Sequence, residues 1–215
     1  MRKALLNLPN VETLKKLLQS LAVLDAIISP DWEYRYYSFN SKWGKNETMA
    51  SMRNGEGDGY FILFNQHGAI IKGFAHESAM SPYASEPNKV WKGIFDDVPK
   101  AFESFLSEPA FSIEDTTFCI WRKNEDSKWQ IGEIDYPKDE NPDGLEDLLF
   151  ILDGNPLTYK EFAEEYYGTE VDFPDIREVY KYQPLTEEIV KRLNQENSLA
   201  ELHDDIEEIG YPNSN

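Results

Sequence analysis

Residues 60–78, YFILFNQHGAIIKGFAHES, carry the strongest secondary-structure signal in this chain. Two short runs rich in aromatic and β-branched residues, Tyr60–Phe64 and Ala69–Ala75, flank the loop sequence Asn-Gln-His-Gly. This spacing predicts a β-hairpin. Both runs are apolar on both faces of the pleat, so we expect them to be central strands of a sheet that helices cover on at least one side. We therefore expect Phe61 and Phe74 to be core residues.

The residues before the hairpin predict one helix and two further strands. Leucines recur at helical spacing over Val11–Ile28, and Asn10 is suited to cap the start of that helix. Glu33–Phe39 and Thr48–Arg53 read as strands, and 41–47 reads as a polar loop that carries Trp43. Four consecutive antiparallel strands would form a meander.

The residues after the hairpin predict a helix, a second hairpin and a helical C-terminal region. An apolar stripe predicts a helix over Trp91–Leu106, which Pro99 could split. Thr116–Arg122 and Trp129–Ile134 read as paired strands. A linker follows over 135–144, and the chain ends in a predicted frayed tail over 210–215. Between them we expect four helices, over Leu145–Leu152, Tyr159–Tyr167, Thr186–Asn194 and Ser198–Ile209. Thr158 is suited to cap the second of these helices and Ser198 the last.

The predicted fold class is α+β, with an antiparallel meander sheet of about six strands flanked by helices and an acidic helical C-terminal region. We expect a single domain over 1–215, in which 1–134 form the helix and sheet and 135–215 form an extension packed on them.

Three features of the composition indicate a cytoplasmic protein. No apolar run approaches the roughly 18 residues that span a bilayer. The first ten residues, MRKALLNLPN, turn polar too soon for a secretory signal. Cys119 is the single cysteine and lies in an apolar run, so the chain forms no internal disulfide, as expected in a reducing compartment.

The charge of the chain is strongly negative and unevenly distributed. The net charge is −19, and residues 131–215 hold 23 Asp and Glu against 6 Lys and Arg, a net of −17. The first 130 residues hold 17 against 15, a net of −2. An acidic surface can serve solubility alone. The asymmetry favours a basic protein partner and argues against nucleic acid and anionic membranes. The candidate partner-binding residues are Glu164, Glu165, Glu187 and Glu188.

A second set of candidates comes from polar and aromatic residues in or near the central strands. If the meander pairs as predicted, their side chains could line a ligand-binding cleft at one end of the sheet. Surface ion pairs are the alternative interpretation. The candidate ligand-binding residues are Trp32, Arg35, Trp43, Arg53, Asp58, Lys72, His76 and Glu77.

The sequence predicts no metal site, cofactor or catalytic residue. Asp139, Asn141 and Asp143, followed by Gly144, match the first half of a calcium loop, but Phe150 stands where the bidentate Glu is required. This pattern is therefore a weak alternative to an acidic turn in which Asp143 caps the next helix. The three histidines and the one cysteine lack the spacing of a metal site.

The run MASMRNGEGDGYFILFNQHGAIIKGFAHESAMSP over residues 49–82 resembles a bacterial family of uncharacterised proteins that share MASMR, GDGYFILF and GAIIKGFAHES. This resemblance covers roughly the first third of the chain and implies no catalytic residue. In size, acidity and aromatic content the chain is also similar to the immunity proteins that neutralise bacterial toxins.

These patterns lead to two hypotheses about function. The first is a non-enzymatic binding protein, of the immunity type, whose acidic C-terminal surface engages a basic protein partner. The alternative is an enzyme or small-molecule-binding protein that uses a cleft around Arg35, Arg53, His76 and Glu77.

Overall fold

The computed structural model describes residues 3–214, which form an α+β fold around one antiparallel sheet of six strands in the order β1-β2-β3-β4-β5-β6. The predicted meander is confirmed. The strands are β1 (Tyr37–Gly44), β2 (Glu47–Arg53), β3 (Gly59–Asn65), β4 (Gly68–Phe74), β5 (Phe118–Lys123) and β6 (Gln130–Ile131). The helices are α1 (Lys3–Asn7), α2 (Val11–Ile28), α3 (Glu103–Ser107), α4 (Leu145–Leu148), α5 (Pro156–Tyr167), α6 (Phe173–Tyr180), α7 (Glu187–Leu193) and α8 (His203–Ile209).

The central hairpin is formed by β3 and β4, as predicted, with Ile62 opposite Ile71 and neighbouring strands on both sides. Its turn depends on Gly68, which has φ +150. A Cβ at Gly68 would lie 2.1 Å from the carbonyl oxygen of Arg122 in β5, so only glycine lets the strands approach this closely.

The two faces of the sheet bury different apolar clusters, because successive side chains of a strand point to opposite sides. The inner face, which includes Tyr60, Ile62 and Phe64, packs against the helical layer around α2. The outer face is covered by residues 79–117 over its β3–β5 half. The buried residues there are Leu63, Ile70, Met80, Ile94, Phe102, Phe105, Phe111, Cys119 and Trp121.

Helix α2 has the predicted bounds, and its Asn10 cap accepts a hydrogen bond from the amide of Thr13. It carries one buried acid, Asp25, whose carboxylate accepts hydrogen bonds from the amides of Tyr36 and Tyr37 and from the Tyr159 hydroxyl. Burial raises the pKa of Asp25 to about 6, although these hydrogen bonds oppose the shift. Asp25 therefore joins α2 to the start of β1 and to α5.

The prediction for the first strand, over Glu33–Phe39, was partly wrong. Residues Trp32–Tyr34 form a 3₁₀ turn, so β1 begins four residues later than predicted. At its other end β1 continues to Gly44, because Asn46 takes a left-handed conformation (φ 64) in a two-residue turn. Trp43 thus lies in a strand and not in a loop.

The helix predicted over Trp91–Leu106 is also wrong. This segment consists of turns, the 3₁₀ turn Lys100–Phe102 and the short helix α3. Gly93 has φ +92, which no helical residue adopts, and Pro99 interrupts helical hydrogen bonding. The apolar stripe is nevertheless buried, since Ile94, Phe102 and Phe105 belong to the outer cluster.

Helices α4 to α8 lie in the C-terminal region, but their bounds differ from the predicted ones. Helix α6 was not predicted, α5 is capped by Asn155 and not by Thr158, and α8 begins after the predicted Ser198 cap. Ser198 still exchanges hydrogen bonds with Glu201.

The chain after α8 is packed against the protein, contrary to the prediction of a frayed tail. The buried Tyr211 donates to the carbonyl oxygens of Val179 and Gln183, and the Ser214 amide donates to Leu185. Asn215, which the prediction included, lies outside the described residues. Within residues 3–214, none of the helices has the length and apolar character needed to cross a membrane.

Candidate functional site

The outer face of the sheet is open over β1 and β2, and a trough of about 410 Å³ lies there. Its floor is a row of laterally paired residues, in which Ser38 lies opposite Ser51 and Ser51 lies opposite Phe61. The hydroxyl oxygens of Ser38 and Ser51 are 2.7 Å apart. The floor is therefore partly polar, whereas the same face under residues 79–117 is apolar except for Lys72.

Tryptophans stand at the two ends of this trough. Trp43 stacks on Phe111 at 5.5 Å and lies near the end of β1, about 20 Å along the strand from Tyr37. Trp32 lies at the opposite end, where the Arg53 guanidinium is 3.7 Å from the centre of its ring. Arg53 also donates a hydrogen bond of 2.7 Å to the Trp32 carbonyl oxygen, which fixes the stacked geometry.

Arg35 lines the trough, but its guanidinium is already engaged. It makes a two-pronged ion pair with Asp205 of α8, at 2.5 and 3.0 Å. Its remaining hydrogen bonds go to the carbonyl oxygens of Ser29 and Pro30. Arg35 therefore joins the end of α2 to α8, and a ligand would have to compete with these contacts.

A depression of about 360 Å³ adjoins the trough around Gly59, and Arg53, Asp58 and Lys72 line it. Lys72 is 2% exposed and donates to the carbonyl oxygens of Ser112 at 2.9 Å and Asp115 at 2.5 Å. Burial lowers the pKa of Lys72 to about 8, although the nearby Asp115 carboxylate opposes this shift. The Lys72 ammonium group is therefore held by the backbone of the loop at Ser112–Asp115, which covers it.

His76 and Asp58 form an exposed pair beside the depression. The Nδ1 atom of His76 is 2.7 Å from an Asp58 carboxylate oxygen, which also accepts from the His76 amide. This hydrogen bond raises the pKa of His76. Glu77 is 3.8 Å from the other ring nitrogen. The pair can exchange protons with solvent, but both groups are on the surface.

The structure thus gathers most of the eight candidate ligand-binding residues at one end of the sheet, where β1 and β3 begin and β2 and β4 end. Trp43 is the exception, because it lies at the far end of the trough. Sequence reasoning missed the floor residues Ser38 and Ser51. The alternation of these serines with apolar residues in β1 and β2 was the sequence signal that could have placed them on the outer face.

Three of the four candidate partner-binding residues, Glu165, Glu187 and Glu188, are exposed. Glu187 accepts a hydrogen bond from the Leu199 amide. Glu164 is half-buried, pairs with Lys160 and accepts from the Val171 amide. Glu165 and Glu188 are therefore the members best placed to meet a partner.

The segment with the calcium-loop pattern is held by its own hydrogen bonds. Asn141 donates its amide to Asp147, Asp139 accepts from the Asn141 backbone, and the buried Asp143 accepts from the Leu145 amide. Over residues 3–214, no group of three or more His, Cys, Asp or Glu side chains is arranged to hold a metal ion.

Comparison of the chain with known protein families, with characterised proteins and with solved structures found no significant match.

Proposed function

We propose that this chain is a non-enzymatic cytoplasmic binding protein that engages a basic protein partner through the exposed carboxylates of its C-terminal helices. The observation that supports this most is that the C-terminal region buries apolar side chains and exposes carboxylates. Leu148, Ile189 and Leu193 are buried in the inner cluster, whereas Glu165 and Glu188 are exposed. A region with 23 acids and 6 bases thus presents a negative field to solvent.

Local ion pairs do not neutralise this field. Lys160, Lys181 and Arg192 pair with neighbouring acids, but the region has too few cations to match its carboxylates. Like charges held together cost stability through self-repulsion. A basic partner offsets that cost and is drawn in faster by the field. A toxin domain is one partner of this class, and the chain would then act as an immunity-type protein.

The test is affinity capture from the source cells at low salt with a charge-reversed protein, Glu165→Lys/Glu188→Lys. The matched control is Glu86→Lys/Glu103→Lys, which makes the same charge change at exposed positions outside the C-terminal region. We expect the wild type and the control to retain a basic protein that the first variant loses. Equal recovery by all three proteins would contradict the proposal.

A small-molecule-binding protein or an enzyme is the second candidate, and the trough is the observation that favours it. Its volume of about 410 Å³ falls within the range of about 300–1,000 Å³ that is usual for ligand sites. A thermal-shift screen tests this candidate. A ligand of the trough would raise the melting temperature of the wild type but not that of Trp43→Ala.

A further inference from the structure

Exposed aromatic side chains and carboxylates occur together at the sheet end where β1 begins. Trp32 is 59% exposed, Tyr34 is 60% exposed and Tyr166 of α5 is 44% exposed. Aromatic residues of this size are the usual energetic anchors of protein interfaces. We call this surface the aromatic–acidic patch and define it by Trp32, Tyr34, Tyr36, Tyr166, Glu56 and Asp58.

A chain of contacts through Arg53 links Trp32, Tyr36 and Tyr166. Arg53 stacks on Trp32 and donates its backbone amide to the carbonyl oxygen of Tyr36 at 3.0 Å. The Tyr36 ring meets the Tyr166 ring edge-on at 4.8 Å. Burial raises the pKa of the Tyr36 hydroxyl to about 12, and the charges of Tyr166, Asp58 and Glu56 add to this shift.

All members of the patch except Tyr166 lie in the first 130 residues, whose net charge is only −2. Residues 31–36 and 53–58 together carry four carboxylates and two guanidinium groups. One of those guanidinium groups, Arg35, is engaged by Asp205. Asp58 in turn pairs with His76. The four carboxylates therefore still exceed the two cations, Arg53 and His76, that could neutralise them locally.

The patch already contains one bound cation. The Arg53 guanidinium lies 3.7 Å from the centre of the Trp32 ring, while more than half of Trp32 stays exposed. Aromatic faces bordered by carboxylates attract guanidinium and ammonium groups through the ring quadrupole and through charge. The surface is thus complementary to arginine and lysine side chains.

We propose that the aromatic–acidic patch is the docking surface for arginine and lysine side chains of the basic partner, so that the C-terminal carboxylates attract the partner and the patch anchors it. This inference rests on the proposed function and adds a location to it. The occupant is a protein segment that carries exposed basic side chains.

The test uses a nine-residue arginine peptide as the probe and isothermal titration as the readout. Exposed cation–aromatic contacts contribute about 0.5–1 kcal/mol each, so Trp32→Ala and Tyr34→Ala should each weaken binding about two- to fivefold. Tyr83→Ala is the matched control, since Tyr83 is 59% exposed but lies over β4 beside Phe74. It should bind like the wild type.

Nuclear magnetic resonance locates the peptide on the protein. We expect the largest shifts at the Trp32 indole N–H and at the amides of residues 54–59. Unchanged affinity in Tyr34→Ala, which removes an exposed ring and leaves the fold intact, would overturn the proposal. Equal weakening by Tyr83→Ala would do the same.

The outcomes for the two proposals are distinguishable. If Glu165→Lys/Glu188→Lys loses the cellular partner while Trp32→Ala and Tyr34→Ala keep it, the proposed function stands and the patch assignment fails. If the peptide needs the aromatic rings but no basic protein is captured at any ionic strength, the patch binds cations and the proposed function fails.

Discussion

Phe61 and Ile62 are neighbours in β3 that face opposite sides of the sheet and should respond differently to truncation. Ile62 is fully buried on the inner face, whereas Phe61 is half-buried at the floor of the trough. Ile62→Ala should cost about 2–5 kcal/mol of unfolding free energy, as core truncations do. Phe61→Ala should cost clearly less, which corrects the expectation that Phe61 is a core residue. Urea denaturation of both variants checks the order, and a larger loss at Phe61 would contradict it.

Asp25 makes a testable contribution to the pH dependence of stability. Its pKa is about 6 in the folded protein against 3.8 as the ordinary value. The folded state therefore binds the proton more tightly than the unfolded state does. The stability that Asp25 contributes is fully present below pH 3.8 and is lost as pH rises through about 6. This difference in pKa corresponds to about 3 kcal/mol of unfolding free energy.

Asp25→Asn removes this titration, so its unfolding free energy should improve relative to the wild type between pH 4 and pH 7. Denaturant unfolding at both pH values measures the change. A stability difference between the two proteins that is independent of pH would show that Asp25 titrates normally when folded.

At the scale of elements, Gly93 explains why the segment 91–99 is not helical. Its φ of +92 is left-handed, and a Cβ there would lie 2.0 Å from the carbonyl oxygen of Glu133. Gly93→Ala should therefore lower the melting temperature, with a cost above about 1 kcal/mol. If Gly93 were helical, the melting temperature would rise instead, because alanine is about 1 kcal/mol more favourable than glycine in a helix interior. Thermal unfolding of the variant distinguishes the two.

The sequence predicted elements well where one physical signal was strong. The α2 helix has a long leucine periodicity and a capping Asn10, and the β3–β4 hairpin has two apolar runs around a turn. The incorrect helix prediction over 91–106 shows the limit of periodicity as a signal. Ile94 and Phe102 are spaced like residues on one face of a helix and are buried, but the chain between them is irregular. Helix α6 was missed because it has only eight residues and begins with Phe173-Pro174.

The candidate site was predictable only in part, for a physical reason. The antiparallel connections of β2, β3 and β4 place Arg53, Asp58 and His76 near one sheet end, and the sequence predicted that. The trough itself depends on residues 79–117 covering β3–β5 and leaving β1 and β2 open. Such coverage is set by long-range packing, which local patterns do not report.

At the scale of the whole molecule, we propose that charge governs the approach of a basic partner and that aromatic surface governs its retention. Residues 131–215 carry −17 of the net charge of −19, and the aromatic–acidic patch lies at the sheet end beside α5. Charge acts over roughly 8–10 Å at physiological ionic strength and so governs approach. Aromatic contacts act at short range and so govern how long the partner stays.

The association rate between this protein and any basic partner that affinity capture recovers, measured by stopped flow across a range of salt concentrations, tests the central claim most directly. Steered association should be fast at low salt and fall steeply as salt screens the field. Glu165→Lys/Glu188→Lys should associate more slowly at low salt and approach the wild-type rate at high salt. An association rate that is independent of salt, or that is unchanged in this variant, would contradict the account.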